Sequence, residues 1–372
     1  MERSRLVLGA MTGTSIDGID LAVVRILGSG LAMRAEPVAF RSAGLEGLAP
    51  RLRAAADQQP MSAGRFAELA RDLGLLHARE ARALLRDAGI ERLDLAALHG
   101  QTVFHRPPCS WQLLNAHPIA AELACDVVFD LRGHDLAAGG QGAPLTPLAD
   151  WILLRAPHAR AVVNLGGFAN ATLLPADDGS PAESQVASIR GADLCACNQL
   201  LDRAARTVLG RDFDADGASA ASGSSDPRHA ETLLRLLAPP EDGRSLGTGD
   251  ELGGWVAAAA SSLAPADLLA TAADAIGRTL GGRLRSLRVG EVVVAGGGAR
   301  HRPLREAIAR AAGCPVRASD EFGIPVGARE CVGWAVLGAL AQDRVEVALP
   351  AVTGRRTPTR VIAGTWQNAI PD

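Results

Sequence analysis

Long apolar runs are missing from this chain. No stretch of about 18 apolar residues occurs in its 372 residues, so no transmembrane helix is expected. A basic excess is missing too. The formal net charge is -3, which argues against a nucleic-acid-binding protein. The opening Met1-Glu2-Arg3-Ser4-Arg5 leads into a short strand and not into a signal-peptide core. The six cysteines, Cys109, Cys125, Cys195, Cys197, Cys314 and Cys331, have the spacing of neither a zinc site nor a disulfide framework. Cys195-Ala196-Cys197 is too tight for a C-x-x-C redox turn, so reduced thiols and a cytoplasmic location are expected. Tyrosine is absent and aromatics make up 3%. There is no low-complexity segment and no repeat array.

What is present is a large apolar fraction, 48%, enough for a substantial core in two domains or one large one. Two apolar strand signals, Leu6-Val7-Leu8 and Leu21–Val24, flank Met11–Asp20, which reads M-T-G-T-S-I-D-G-I-D. Strand, tight turn and strand make a cradle of backbone N–H groups suited to phosphate. Gly13 and Gly18 allow close approach, and Thr14 and Ser15 add hydroxyl donors. Asp17 and Asp20 would repel a phosphate, so a bound cation is the natural reconciliation; the alternative is that both carboxylates only shape the turn. A second unit of the same kind runs Ala161–Asn164, Leu165–Asn170, Ala171–Leu174, with Gly166 and Gly167 at its turn. Two such turns, one per half, read as a polyphosphate clamp; two unrelated hairpins are the alternative.

Between and beyond these units the spacing predicts strands at Leu31–Arg41, Leu93–Leu98, Val127–Phe129, Glu291–Ala295 and Arg360–Ala363. It predicts helices at Leu48–Gln58, Ala63–Ala88, Asn198–Leu209, Glu231–Leu237, Asp267–Leu287, Pro303–Ala312 and Val332–Gln342. Gly217–Asp226 and Pro239–Gly249 read as loops, and Gly139–Pro144 as a domain crossover. Gly296, Gly297 and Gly298, between a strand and a helix, offer close approach for a flat ring or a phosphate.

Taken in order, the segments G-A-M-T-G-T-S-I-D-G-I-D, H-G-Q-T-V-F-H-R-P, G-G-Q-G-A-P-L, N-L-G-G-F-A-N-A-T, A-G-G-G-A-R and A-R-E-C-V-G-W-A resemble those of the anhydro-N-acetylmuramic acid kinases, from residue 9 to about 338. The family lies in the superfamily of sugar kinases, actin and heat-shock chaperone ATPases. The resemblance implies an α/β fold of two ribonuclease-H-like, actin-like ATPase domains with an inter-domain cleft. Residues 1–138 would form an N-terminal lobe, with about 340–372 packing back on it, and 139–339 the second lobe. ATP and Mg2+ would be held by Gly13, Thr14, Ser15, Ile16, Asp17, Gly18, Ile19, Asp20, Gly166, Gly167, Asn170 and Gly296–Gly298, with Asp17 and Asp20 facing the metal through water. The implied reaction opens the anhydro bridge of 1,6-anhydro-N-acetylmuramic acid with water and phosphorylates the freed 6-hydroxyl, in peptidoglycan recycling. A small anhydrosugar substrate and a homodimer are the implied partners, with no nucleic acid and no membrane.

The family's D-T-G-P-G-N segment, which holds its catalytic Asp, is Asp193-Leu194-Cys195-Ala196-Cys197-Asn198 here. Asp193 is therefore the expected general base, with a helix N-cap as the structural alternative. Loss of the Thr, Gly, Pro and Gly between Asp193 and Asn198 removes positive-φ freedom. It raises two further readings: a kinase for another anhydrosugar, or a silent nucleotide- or sugar-binding sensor. His99, Gln101, Thr102 and His105 are expected in the sugar pocket, although His99 and Thr102 also suit turn hydrogen bonds. Arg132 and Asp135 are expected at the substrate site as well; they would pair with each other, or Arg132 would meet the substrate carboxylate. Glu330 is either a first-turn carboxylate or a sugar contact, and the resemblance favours the latter.

Overall fold

The computed structural model describes residues 3–238, 250–357 and 362–369. The chain divides into two units: Met1–Arg155 with Gly179–Arg190 and Gly323–Asp372, and Ala156–Asp178 with Gly191–Phe322.

The first unit is built on β1 (Ser4–Thr12), β2 (Gly18–Leu27), β3 (Arg34–Gly44), β4 (Leu95–His99), β5 (Gln101–Arg106), β6 (Cys109–Leu113) and β7 (Asp126–Phe129). Its main sheet runs β3–β2–β1–β4–β7 and ends in the short C-terminal strand Thr365–Gln367. β1 pairs antiparallel with β2 and parallel with β4. Both faces of β1 are covered, which is why it reads as a near-continuous apolar run. Leu8 and Ala10 face a core built with Leu69, Leu73 and Leu76 of the helix Ala63–Asp87. On the other face, a Cβ at Gly9 would lie 1.9 Å from the Cys331 carbonyl oxygen. Only glycine lets the buried helix Arg329–Gln342 lie that close to the strand.

The second unit holds β8 (Arg160–Leu165), β9 (Phe168–Leu174), β10 (Arg190–Ala196), β11 (Glu291–Ala295) and β12 (Val316–Ala318), in the order β10–β9–β8–β11–β12. β8 and β9 form the expected antiparallel hairpin. β8, β11 and β12 run parallel, and the helices Pro265–Ser286 and Arg302–Ala312 pack against each other.

Several expectations need correction. The helix Arg329–Gln342 belongs to the first unit and not to a lobe spanning 139–339, because it fills the open face of β1. Residues 139–155 belong there as well. Gly139–Pro144 is no crossover: Gly142 N–H donates to Asp135 at 2.8 Å, and Gln141 N–H to the Thr353 carbonyl at 2.9 Å. The third strand is Arg34–Gly44, shifted from Leu31–Arg41. Within Gly217–Asp226, Ala218–Ala221 is a short helix. The expected loop Pro239–Gly249, and Arg360 and Val361 of the expected last strand, lie outside the described residues; the strand itself is Thr365–Gln367.

Candidate functional site

In the first unit, the turn between β1 and β2 is shaped by Ile16. Its φ is +53°, which costs a β-branched residue about 1–3 kcal/mol. Three contacts hold it there. Its side chain is buried in the core, its N–H donates to the Gly13 carbonyl at 3.2 Å, and its carbonyl accepts from Arg53 Nη2 at 3.2 Å. Thr14, Ser15 and Asp17 are left exposed at the tip, while Ile19 is buried in the sheet. Asp17, Gly18 and Asp20 line a cavity of about 340 Å³ with Ser42, Ala43 and Gly44. Burial pushes the Asp20 carboxyl up, a bond with Ser42 pulls it down, and the Asp17 charge pushes it up again. Two mutually repelling carboxylates beside a hydroxyl fit a hydrated divalent cation. Among the described residues no cluster of three or more His, Cys, Asp or Glu is set to hold a metal unaided, so phosphate and water would supply the remaining oxygens.

A buried polar cluster begins at the end of β4. His99 Nε2 lies 3.1 Å from Arg132 Nη2. A guanidinium only donates, so Nε2 accepts and the proton sits on Nδ1. Burial, then the Arg132 charge, holds this imidazole well below its usual pKa, so it is neutral. Arg132 Nη1 donates to the Gly142 carbonyl at 2.7 Å. Its pKa is lowered to about 10 by burial, against the pull of Glu330 and Asp130. Burial raises the Glu330 carboxyl; the Arg329 charge opposes this, and Asp20 adds to it. His99, Arg132, Glu330 and Asp20 thus feel one another within this unit. The same Arg132 charge, after burial, lowers His105.

Gln101 is fully buried, and its Nε2 donates to the Thr102 carbonyl at 3.3 Å. Thr102 pairs with Gln112 across β5 and β6. His105 Nδ1 sits 2.9 Å from Ser110 Oγ, which also accepts from Gln112 Nε2 at 2.7 Å. This β5–β6 hairpin was not expected, and it adds Ser110 and Gln112 to the cluster. The signal was there in two short alternating runs about Pro107-Pro108.

Asp135 departs from expectation. It does not pair with Arg132. It is wholly buried, and its oxygens accept from Gly142 N–H at 2.8 Å, Thr353 Oγ1 at 2.9 Å and Arg355 Nε at 3.0 Å. Both oxygens are therefore engaged, and Asp135 secures the segment whose Gly142 carbonyl holds Arg132.

In the second unit the hairpin turn docks on the helix Asn198–Leu209. The Gly166 carbonyl accepts from Asn198 N–H at 3.0 Å; the Gly167 carbonyl accepts from Cys197 N–H at 2.8 Å and Gln199 N–H at 3.1 Å. In a trans peptide the N–H opposes the C=O. With both carbonyls turned to the helix, the Gly167 and Phe168 N–H groups point to the opposite side, away from it. That is a cradle made of main chain alone. Asn170 pairs with Asn164 across the hairpin. Asn198 Nδ2 donates to the Leu165 carbonyl at 2.8 Å, tying helix to strand. The glycine triplet meets the same place. Gly296 has φ +83°, and a Cβ there would lie 2.5 Å from Asn164 Oδ1; one on Gly298 would lie 2.7 Å from Asn198 Oδ1, whereas one on Gly297 would come no closer than 3.4 Å to Asn198 Nδ2.

Asp193 is an exposed residue of β10, and the N-cap of the following helix is Cys197, so the capping alternative is excluded. Leu194, Cys195, Ala196 and Cys197 are all buried, and none has a positive φ. In place of the lost glycines, Leu194–Ala196 complete the strand, and Cys197, at φ -132° and ψ -100°, turns the chain into the helix. Burial pushes the Cys195 thiol up to about 12 and holds Cys197 well above its usual value, so neither is a nucleophile. The sequence contains no lysine, so phosphate charge must be met by arginine, main-chain N–H groups or a cation.

Two sheet-bearing units, each with a glycine-bearing strand–turn–strand loop suited to phosphate, define an α/β chain equipped to handle phosphorylated ligands. The chain belongs to the anhydro-N-acetylmuramic acid kinase family, whose model matches residues 5–367. It is 38% identical to the anhydro-N-acetylmuramic acid kinase of Bordetella pertussis over 97% of this chain and 96% of that one. It is 36% identical to that of Xanthomonas axonopodis pv. citri over 95% and 96%. Among solved structures, the activator of 2-hydroxyisocaproyl-CoA dehydratase from Clostridium difficile with bound ADPNP matches 90% of this chain and 94% of its own at 13% identity, with a TM-score of 0.47, too low to bear on the site.

Proposed function

We propose that this chain is a cytoplasmic, homodimeric kinase that uses ATP and Mg2+ to convert 1,6-anhydro-N-acetylmuramic acid to N-acetylmuramic acid 6-phosphate, in peptidoglycan recycling. Family membership over nearly the whole chain supports the substrate and the reaction. The observation that carries the site is Asp193, exposed on β10, four residues before the Cys197 N–H that docks on the glycine turn. The segment that carries the base therefore docks, through Cys197, on the back of the turn that carries the main-chain phosphate cradle.

Asp193 takes a proton from water as the water oxygen attacks the anomeric carbon, in the manner of an inverting glycosidase. The anhydro C–O bond breaks, and the freed 6-oxygen attacks the γ-phosphoryl group. That second step depends on positioning and charge neutralisation. Thr14 and Ser15 offer hydroxyl donors to phosphate oxygens, and the Gly167 and Phe168 N–H groups offer main-chain donors. Asp17 and Asp20 would hold the metal through water, and the ion neutralises charge on the phosphates when bound. Neutral His99, Gln101, Thr102 and His105 present sugar-hydroxyl partners, and Glu330 a carboxyl. Arg132 supplies a planar fork for the lactyl carboxylate. That Leu194–Cys197 are buried without a positive φ supports an intact segment behind Asp193 rather than the silent sensor.

The test is ADP release with anhydro-N-acetylmuramic acid, ATP and Mg2+, with the anhydro sugar lacking the lactyl group as a second substrate. Turnover on the first that is lost in Asp193→Asn is the expected result. Turnover on neither sugar, with ATP still bound, overturns the proposal.

A further inference from the structure

Outside the residues assigned above, the second unit holds a chain of acid, imidazole and hydroxyl. His229 Nδ1 lies 2.8 Å from Asp226 Oδ1, and His229 Nε2 lies 3.1 Å from Ser262 Oγ. An ionised carboxylate only accepts, so Nδ1 carries the proton. In the neutral ring Nε2 is then an acceptor for the Ser262 hydroxyl, nearer at 3.1 Å than its two other acceptors, the Ala258 and Ala259 carbonyls at 3.3 Å. That is the proton order of an activated serine nucleophile.

The three groups are fixed from behind. Asp226 caps the helix Pro227–Leu237, accepting from Arg228 N–H at 3.1 Å and His229 N–H at 2.9 Å. Its own N–H donates to Oγ1 of the fully buried Thr271 at 2.9 Å. The His229 carbonyl accepts from Nε1 of the buried Trp255 at 3.1 Å. Ser262 follows the helix Asp250–Ala260 and is exposed. A helix cap needs only the Asp226 carboxylate. It requires neither an imidazole turned back on that carboxylate nor a hydroxyl brought to the far nitrogen.

We propose that Ser262 is a nucleophile towards small carboxylic esters, with His229 as its base and Asp226 as a positioning residue, in an activity separate from phosphoryl transfer. Ser262 Oγ bonds to the ester carbonyl carbon while its proton passes to His229 Nε2. The ester C–O bond breaks, and the proton passes from Nε2 to the leaving alkoxide. Water then attacks the acyl-serine through the same base and restores the hydroxyl. The N–H groups of Ser261, Ser262 and Leu263 are already bonded to the Ala258 and Ala259 carbonyls. None of those three is left to meet an oxyanion, so the gain is that of general-base catalysis, about 10²–10⁴-fold over an ordinary serine.

The experiment treats the full chain with a fluorophosphonate reporter, locates the label by peptide mass spectrometry, and follows p-nitrophenyl acetate hydrolysis in parallel. The expected result is label on Ser262, none there in Ser262→Ala, and labelling slowed about 100-fold in His229→Gln. Asp226→Asn keeps the helix cap and is expected to slow labelling with an unchanged melting temperature. Ser262→Ala should keep its sugar-dependent ADP release, which shows that the fold is intact. Ser262 labelling no faster than Ser261, or His229→Gln labelling at the parent rate, overturns the proposal.

Discussion

The two hairpins share a topology and divide the work differently. The turn between β1 and β2 presents side chains: Thr14, Ser15 and Asp17 at an exposed tip, held up by a strained Ile16. The turn between β8 and β9 presents only main chain, because both glycine carbonyls are spent on the helix Asn198–Leu209. The surroundings differ in the same sense. In the first unit the polar groups His99, Arg132 and Asp135 are bound to one another, to main chain or to Thr353 and Arg355, and burial raises the Glu330 carboxyl. In the second, Asp193 stands exposed on a strand whose next four residues are buried. A substitution at Asp193 should therefore cost rate without stability, and one in the buried polar cluster of the first unit should cost stability together with function.

The largest test of that contrast is Asp193→Asn. Loss of a general base should reduce sugar-dependent ADP release by about 10²–10⁴-fold. An exposed side chain has little packing to lose, so the melting temperature should stay where it was. A large fall in melting temperature would break the contrast at its clearest point.

Arg355→Ala is the counterpart in the first unit. Arg355 and Asp135 are both fully buried and 3.0 Å apart. Removing one partner strands a buried charge, at about 3–5 kcal/mol. Urea unfolding should show that loss. The KM for sugar should rise as well, because the segment that Asp135 secures carries the Gly142 carbonyl that holds Arg132.

This pair also marks what the sequence could and could not tell. The helix Asn198–Leu209 and the strand Glu291–Ala295 were legible with their bounds, and the hairpins by position though with longer strands than expected in the first, because local periodicity and turn glycines specify them. Asp135 was legible as a polar residue near the sugar motif, but its partners Thr353 and Arg355 lie 218 and 220 residues along the chain. No local pattern encodes such a contact. β10 was missed because R-G-A-D-L-C-A has no alternation, and its pairing beside β9 supplies what the pattern lacks. The helix Arg329–Gln342 was found but given to the wrong unit. A segment apolar on every side says that it is buried, not against which sheet.

Acid should separate the two units next. His77, in the first unit, is buried; its pKa falls from 6.5 to about 4. Between those values the unfolded chain holds more protons than the folded one. Stability is thus full above about pH 6.5 and is lost as pH falls towards 4, on the order of 3 kcal/mol from this group. Burial lowers His99 and His134 in the same unit as well, against His301 in the second. Hydrogen exchange followed from pH 7 to 4.5 should show the first unit loosening ahead of the second. His77→Leu should flatten that dependence, and an unchanged pH profile would remove His77 from the account.

The finest test is a matched pair at the two turns. Ser15→Ala removes an exposed hydroxyl from the first, and a lost bond to a charged phosphate costs about 1.5 kcal/mol, or roughly tenfold in the KM for ATP. Gly167→Ala adds a methyl to the second, where a Cβ meets no protein atom within 4 Å and φ is not positive. The protein itself has no reason to resist that methyl, so its melting temperature should hold. Phosphate lying against the Gly167 and Phe168 N–H groups would meet it directly, and the KM for ATP should then rise severalfold. If Gly167→Ala leaves both the melting temperature and the KM for ATP unchanged, the second hairpin does not touch phosphate, and the main-chain half of the comparison falls while the side-chain half stands.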